Sequence, residues 1–364
     1  MRRPRLRSSK AKVNKLVRLL GGRRRALLVV HDNPDPDGMA GAFCLSHLIG
    51  ALLGVRALIV YGGIVGRAEN RDMIRALGIS LWRVEDVEFR PDDAVVLVDT
   101  QPAFRNHSLP EGCPVLAVID HHAGCPSPDV PLVDVRPEYG AVTTIITEYL
   151  VSAGVRISPA LATAICFGIG TETQDLGREA APADIAAFME AFPLSDLRLL
   201  GRLHHPRRDL SFFAEWDRAL HAARVRDHVV VCHLAAVPTA DTAAEMADML
   251  AGLEGVEWVM CTGVCNGRLM VSVRTSDPHA QAGELLRDVV GDRARAGGHD
   301  MMAGGSLELD EAMGPAHVQL ALTRRFLAAL GLPPEAHLAP LIEHRSDRPS
   351  GPGKGDSDEG GGAP

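Results

Sequence analysis

Residues 26–43 read ALLVVHDNPDPDGMAGAF. Five apolar residues run without interruption into His31, and Asp32, Asp35 and Asp37 follow, separated by Pro34 and Pro36. An unbroken Ala/Leu/Val run predicts a strand buried on both faces, as in parallel sheets flanked by helices. Ligand sites in such folds lie beyond the carboxyl ends of the strands, which is where the polar residues begin. Asp35 and Asp37 are expected in a loop stiffened by the two prolines. Carboxylates so close together repel one another, and a divalent cation that His and Asp ligate jointly relieves the repulsion. A solvated Asp/Pro turn would use the same residues, so the stretch alone leaves both readings open.

The flanking sequence separates them. A helix is predicted over 8–20, where Val13, Leu16, Val17 and Leu20 are spaced for one apolar face and Gly21-Gly22 ends the pattern. A helix over 40–53 and a strand over 55–61 follow the opening strand, and strand, helix, strand implies a right-handed parallel crossover. A helix over 69–77 stops at Gly78. A third buried strand, AVVLV at 94–98, ends in Asp99, and a fourth, over 115–119, ends in Asp120-His121-His122. A turn would not recur at matching strand ends, whereas a site built on several strands would.

After a short extended piece at 132–135, helices are expected over 141–151 and 159–168. The segment GIGTETQDLGRE at 168–179 then carries Glu172 and Asp175 in a Gly/Thr-rich turn. Two more helices, 183–192 and 194–203, lead to His204-His205-Pro206-Arg207-Arg208, read as a connection rather than a second metal site, since no carboxylate-tipped strand supports it. From His228 strands and helices alternate again, with Asn266-Gly267 between apolar runs marking a hairpin. Gly297-Gly298 and Gly304-Gly305 bracket His299; glycines let backbone amides approach an anion, and they also make tight turns. These patterns divide the chain into a metal-binding domain at 1–195, a linker at 196–226, a smaller domain at 227–335 and a disordered Gly/Pro/Asp-rich tail at 336–364.

The 364 residues, 46% of them hydrophobic, suffice for two domains with cores of their own. A formal net charge of -8 and pI near 6.0 disfavour a duplex-binding track and leave room for a local basic pocket. Lysine occurs only at positions 10, 12, 15 and 354, so Arg density reflects codon bias more than nucleic-acid binding. The basic start of the chain is expected to fray in solvent. Neither a signal-peptide core after Met1 nor a continuous membrane-spanning apolar run of about 20 residues is legible. Seven scattered cysteines suit a reducing cytoplasm, with Cys261 and Cys265 read as packed thiols rather than metal ligands.

Taken together, HDNPDPDG, VDTQP, IDHH and GIGTETQDLG resemble the four ordered motifs of the DHH/DHHA1 phosphoesterase family, and VSVRTSDPHAQAGELLRDVVGDRARAGGHDMMAGG resembles its DHHA1 half. The resemblance implies an α/β fold, with a parallel-sheet DHH domain flanked by helices, a smaller α/β DHHA1 domain and an active site in the cleft between them. It implies two metal ions, usually Mn2+, with Mg2+ or Co2+ as substitutes. One would be held by His31, Asp35 and Asp99, the other by Asp37, Asp99, His121 and Glu172, with Asp99 bridging. Asp120 would orient its neighbours, His122 would contact the phosphate or leaving oxygen, and Arg274, Gly297, Gly298 and His299 would hold the rest of the substrate.

Three positions depart from the family pattern. Glu172 stands where an aspartate is usual, which moves the carboxylate outward by about 1.5 Å and makes Asp175 a second contender for that ligand. Ala296 replaces a common glycine, and Ala40-Gly41 stands where a serine is frequent. The expected activity is hydrolysis of short oligonucleotides, linear or cyclic dinucleotides, or 3'-phosphoadenosine nucleotides, with a homodimer as the family expectation and neither membrane nor duplex DNA as partner. A non-catalytic nucleotide sensor and a RecJ-like single-strand exonuclease are the competing readings; a pyrophosphatase fits less well because the GGH segment is present.

Overall fold

The computed structural model describes residues 5–104, 106–124, 128–291, 296–298, 301–309 and 314–342. The chain divides into two compact units, Met1–Arg208 and Asp209–Pro364.

In the first unit the strands β1 (Arg25–Val29), β2 (Arg56–Tyr61), β3 (Leu81–Arg83), β4 (Ala94–Val98), β5 (Val115–Asp120) and β6 (Leu132–Val135) form one wholly parallel sheet in the order β3-β2-β1-β4-β5-β6. The chain reverses its winding between β1 and β4, so the loops leaving these two central strands diverge and open a crevice at their carboxyl ends. Side chains alternate across the sheet. Ala26, Leu28 and Val30 face a core shared with helices α1 (Lys10–Leu20), α2 (Pro36–Leu53), α3 (Ala68–Leu77), α4 (Val142–Ala153) and α5 (Pro159–Glu172). Leu27 and Val29 face the other way and are covered by Val84, Val87, Phe89, Leu109 and Val130. The opening run is thus buried on both faces as its composition requires, with irregular chain rather than helices over the second face.

Several elements run beyond their expected bounds. Helix α2 begins at Pro36, because Asp35 caps it by accepting from Gly38 N at 2.9 Å and proline suits the first helical position. Asp37 therefore sits in the first turn of a helix, not in a loop. By length and composition α2 could cross a membrane, but it is mostly buried within this unit, packed on α4 and α5. Helix α5 continues to Glu172, so only Asp175 of the two acidic residues lies in the turn. From Arg7 the start of the chain is anchored: Arg7 N and Ser9 Oγ donate to the Glu148 carboxylate at 2.8 and 3.0 Å.

The stretch expected as a linker, 196–226, holds helix α7 (Leu197–His204), expected over 194–203, after α6 (Pro182–Ala191), and then α8 (Leu210–Ala222) and β7 (Arg224–Arg226), with α7 packed in the first unit and α8 in the second. Helix α8 and β7 were not expected, because HHPRR breaks the apolar period ahead of them. The second unit adds β8 (Val229–Ala236), α9 (Thr242–Ala251), β9 (Trp258–Cys265), β10 (Arg268–Thr275), α10 (Ala282–Val290), β11 (Ala296–Gly298), β12 (Met302–Glu308), α11 (Pro315–Ala329) and β13 (Ala339–Pro340). Its sheet runs β11-β12-β10-β9-β8-β7-β13, parallel at β8–β9 where α9 supplies the crossover and antiparallel elsewhere. Asn266 and Gly267, at φ 49° and 76°, turn the β9–β10 hairpin with both central residues left-handed, as Asn-Gly favours. Part of the expected tail is structured, since β13 pairs with β7. The rest of it, residues 343–364, lies outside the described residues, as do His299 and Cys125.

Candidate metal centre

The three tipped strands bring their polar ends together. His31 follows β1, Asp99 follows β4, and Asp120, His121 and His122 end or follow β5. Asp99 lies at the centre, 2% exposed. Its Oδ2 is 3.6 Å from His31 Nε2, and its Oδ1 is 3.5 Å from both His121 Nε2 and His122 Nδ1. His31 Nε2 is also 3.6 Å from Asp35 Oδ2, and His121 Nε2 is 3.8 Å from Asp37 Oδ2. Two sets of side chains thus share Asp99: His31, Asp35 and Asp99 in one, Asp99, His121 and His122 in the other. The second set brings in His122, which the resemblance assigns to the substrate instead.

Most of these separations are too long for good hydrogen bonds. They approach the distance between neighbouring ligands that each lie about 2.0–2.2 Å from a common ion, roughly 3.0–3.6 Å. Among the described residues Asp99 Oδ1 is buried without a hydrogen-bond partner, its contacts with His121 and His122 at 3.5 Å being too long. Asp99 also holds φ at 60°, a left-handed conformation that aspartate tolerates at a cost. Gly38 allows the close approach, since a Cβ there would meet Asp99 Oδ2 at 3.1 Å. The donor set, carboxylate oxygens and imidazole nitrogens, suits a divalent first-row cation.

The outer contacts fix which atoms face inward. His31 Nδ1 bonds Asp32 O at 3.0 Å and His121 Nδ1 bonds Tyr139 O at 3.1 Å, so each ring donates there and leaves Nε2 for the centre. Asp37 accepts from Val142 N at 2.7 Å and Thr143 N at 3.0 Å, the first amides of α4. Asp120 Oδ1 accepts from His121 N and from His122 Nδ1, each at 2.8 Å, and Oδ2 accepts from Gln101 Nε2 at 2.8 Å. Gln101 also donates to His122 O at 2.8 Å, tying the β4 loop to the β5 loop. The sequence reading gave Gln101 no role; its place two residues after Asp99 in VDTQP was the available signal.

The cluster holds more carboxylates than it can keep ionised without a cation. Burial and the Asp99 charge push Asp37 well above the usual carboxylate range. Burial, then Asp35 and Asp99, push Glu172 up to about 7 against the opposing pull of His121. Burial disfavours charged imidazoles, yet Asp35 and Asp99 outweigh it and raise His31 to about 10, while Asp99 and Asp37 raise His121 well above its ordinary value. Burial likewise opposes ionisation at Asp35, where His31 nevertheless holds the carboxyl well below the usual range. Protons are held where the charge of an ion would otherwise lie.

Glu172, half-buried at the end of α5, is close enough to act on Asp37 and His121. Asp175 is exposed and left-handed at φ 56°, with Oδ1 turned toward Gly170. Asp32 leaves the cluster too: its Oδ2 accepts from Ser108 Oγ at 2.8 Å.

In the second unit, Arg274 on β10 is 9% exposed; its Nε donates to Asp248 at 2.5 Å and its Nη1 to Ser272 Oγ at 2.7 Å. Gly297 and Gly298 form the edge strand β11, opposite Gly304 and Ala303, rather than a free loop. A Cβ on Gly283, in the first turn of α10, would meet Gly298 O at 2.6 Å, so close packing is one reason for these glycines.

A doubly covered parallel sheet with a His/Asp cluster at its switch point defines an α/β protein with residues placed to hold divalent cations if they bind. Residues 25–169 match the DHH family, N-terminal domain, and residues 227–321 match the DHHA1 domain. The chain belongs to the DHH/DHHA1 family, whose members hydrolyse phosphoester or phosphoanhydride bonds. It is 30% identical over 286 residues to an uncharacterized protein of Methanocaldococcus jannaschii; the match takes in 78% of this chain and spans 58% of that protein's length. Among solved structures, an exopolyphosphatase-related protein from Bacteroides fragilis superposes with TM-score 0.68 at 13% identity over 88% of this chain and 98% of that one. RecJ from Thermus thermophilus, in complex with Mn2+, gives TM-score 0.50 at 18% identity over 89% and 55%.

Proposed function

We propose that this chain is a metal-dependent phosphoesterase that hydrolyses short oligonucleotides, linear or cyclic dinucleotides, or 3'-phosphoadenosine nucleotides. The observation that carries the reading is Asp99: a buried carboxylate with an unmatched oxygen, shared by two sets of His and Asp side chains. His31, Asp35 and Asp99 would hold one ion, and Asp37, Asp99, His121 and Glu172 the other, Mn2+ being the choice that RecJ of Thermus thermophilus suggests. When bound, such ions lower the pKa of water and offset charge on phosphoryl oxygens.

The protein's own groups perform the remaining tasks. Asp120 fixes the His122 ring through Nδ1 and leaves Nε2 for the substrate. As a water oxygen bonds to phosphorus and the bond to the leaving oxygen breaks, His122 Nε2 delivers a proton to that oxygen. His122 suits this because Asp120 and Asp99 outweigh burial and raise its pKa. Arg274, Gly297, Gly298 and His299 would hold the substrate's far phosphate or nucleotide, as the family resemblance implies. Net charge -8 favours a short substrate over a long polyanion, and a cytoplasmic location follows from the thiol content. Glu172, longer than the usual aspartate, supports a second reading as a nucleotide-binding protein without turnover.

The deciding experiment incubates the purified protein with Mn2+ and, separately, pApA, cyclic di-AMP, pAp and pyrophosphate, alongside Asp99→Ala. Turnover of one or more nucleotides by the wild type and none by the variant is expected. Nucleotide binding without turnover would leave the sensor reading, and cleavage of pyrophosphate alone would refute nucleotide hydrolysis.

A further inference from the structure

The turn that follows Glu172 contains a group that none of the assignments above uses. Arg178 is 7% exposed, yet among the described residues its Nε and Nη1 have no hydrogen-bond partner; only Nη2 is engaged, donating to Glu172 O at 2.7 Å. One N–H at Nε and two at Nη1 are thus buried without acceptors. A guanidinium stays charged at any working pH, so its unmet donors cannot be neutralised by losing a proton and carry a full desolvation cost.

The backbone holds the group in place at further cost. Gln174, Asp175, Leu176 and Glu179 all adopt left-handed φ, 47°, 56°, 67° and 51°, which no glycine relieves. The turn is closed by Arg178 N to Thr173 O at 2.8 Å and Asp175 N to Gly170 O at 2.7 Å. It lies against the segment that positions the centre. A Cβ on Gly140 would meet Glu179 O and Thr173 Cγ2, both at 2.8 Å; the preceding residue, Tyr139, receives the His121 Nδ1 bond, and the amides of Val142 and Thr143 hold Asp37. Strained backbone and unmet buried donors persist where a ligand completes them.

We infer that Arg178 is an anion-binding residue of the phosphoesterase site, whose unmet N–H groups donate to a phosphoryl oxygen of the substrate beside Glu172. A phosphate monoester or diester supplies the required chemistry, several charged acceptor oxygens on one centre, which guanidinium groups bind with charge-assisted hydrogen bonds. This inference rests on the proposed phosphoesterase reading. Glu172 would ligate an ion through its carboxylate while its carbonyl anchors the guanidinium, so the usual aspartate position and the phosphate contact become parts of one turn.

The test measures orthophosphate affinity by calorimetry on Mn2+-saturated wild type, Arg178→Ala, Arg178→Gln and Arg178→Lys, with Mn2+ affinity and melting curves measured on each. Arg178→Ala is expected to weaken orthophosphate binding at least about tenfold with Mn2+ affinity unchanged, and to lower kcat/KM on pAp or pApA by about 10²-fold, with added guanidinium restoring part of the loss. If the alanine variant does not fold, the glutamine and lysine variants carry the comparison, with lysine retaining more affinity than glutamine. Orthophosphate affinity equal to wild type, no orthophosphate binding by the wild type, or a loss confined to Mn2+ affinity would overturn the assignment, the last showing that Arg178 only braces Glu172. Absence of turnover with every substrate would refute the phosphoesterase reading instead, because the orthophosphate comparison needs no catalysis.

Discussion

Replacing Asp99 with asparagine removes one charge and one ligand oxygen from the middle of the cluster while keeping a side chain that tolerates φ near 60°. Without metal, the wild type holds Asp99 against Asp37, whose carboxyl is pushed well above its ordinary range by burial and by that neighbour. The substitution relieves this repulsion but also takes the anionic partner from His31, His121 and His122, so the reading rests on the Mn2+-induced shift of each protein from its own value in EDTA. An ion at 100 times its dissociation constant stabilises the folded state by about 2.7 kcal/mol. For a unit the size of Met1–Arg208 each kcal/mol raises Tm by about 2–4 °C, so the wild-type transition should rise by about 5–11 °C. Asp99 faces His31 on one oxygen and His121 and His122 on the other, at 3.5–3.6 Å, so its loss disrupts both ligand sets. The variant should therefore shift by less than about 2 °C on the same scale. Scanning calorimetry with a Mn2+ titration separates the transitions of the two units. Equal Mn2+ shifts in wild type and variant would refute the role given to Asp99, and no shift in the wild type would refute the metal centre.

Other consequences follow from groups away from the centre. His233 bonds Thr262 Oγ1 and Thr323 Oγ1 at 2.8 and 2.7 Å, and burial lowers its pKa to about 4. Because the unfolded chain takes up this proton near 6.5 and the folded one near 4, stability of the second unit should fall as pH drops through that window; His233→Gln should flatten the dependence in urea titrations, and an unchanged slope would rule His233 out as its source. Glu148, fully buried, accepts from Arg7 N, Ser9 Oγ, Tyr139 OH and Arg136, so Glu148→Ala leaves the Arg136 charge with fewer partners and should cost about 3–5 kcal/mol in denaturant unfolding. A loss below about 1 kcal/mol would show that the network is solvated. Gly283→Ala forces a Cβ to within 2.6 Å of Gly298 O and should destabilise the second unit by about 1–3 kcal/mol; a neutral result would mean that β11 yields freely.

The motifs were legible because each puts its chemistry where a strand ends: an apolar run determines the strand, and the next residue is the ligand. His31, Asp99, Asp120 and His121 could be read this way without knowing strand order. Asp37 could not, since its helical setting depends on Asp35 capping α2 and its carboxylate is held by amides 105 and 106 residues away. Helix α8 and β7 were missed because His204-His205-Pro206 interrupts the apolar period just before them, whereas α7 was legible over 194–203.

Composition and local order by themselves determined a parallel α/β protein with a carboxylate-rich centre, because burial on both faces and residues just past a strand are local properties of the chain; the motif resemblance added the DHH/DHHA1 family. Only the tertiary structure decided which acidic residue of the fourth motif nears the centre, that Gln101 joins two of its loops, and that Arg178 is left with unmet donors. Those outcomes depend on the direction of side chains from α5 and on backbone groups of Tyr139, Val142 and Thr143 brought in by the fold, and no spacing along the chain encodes either.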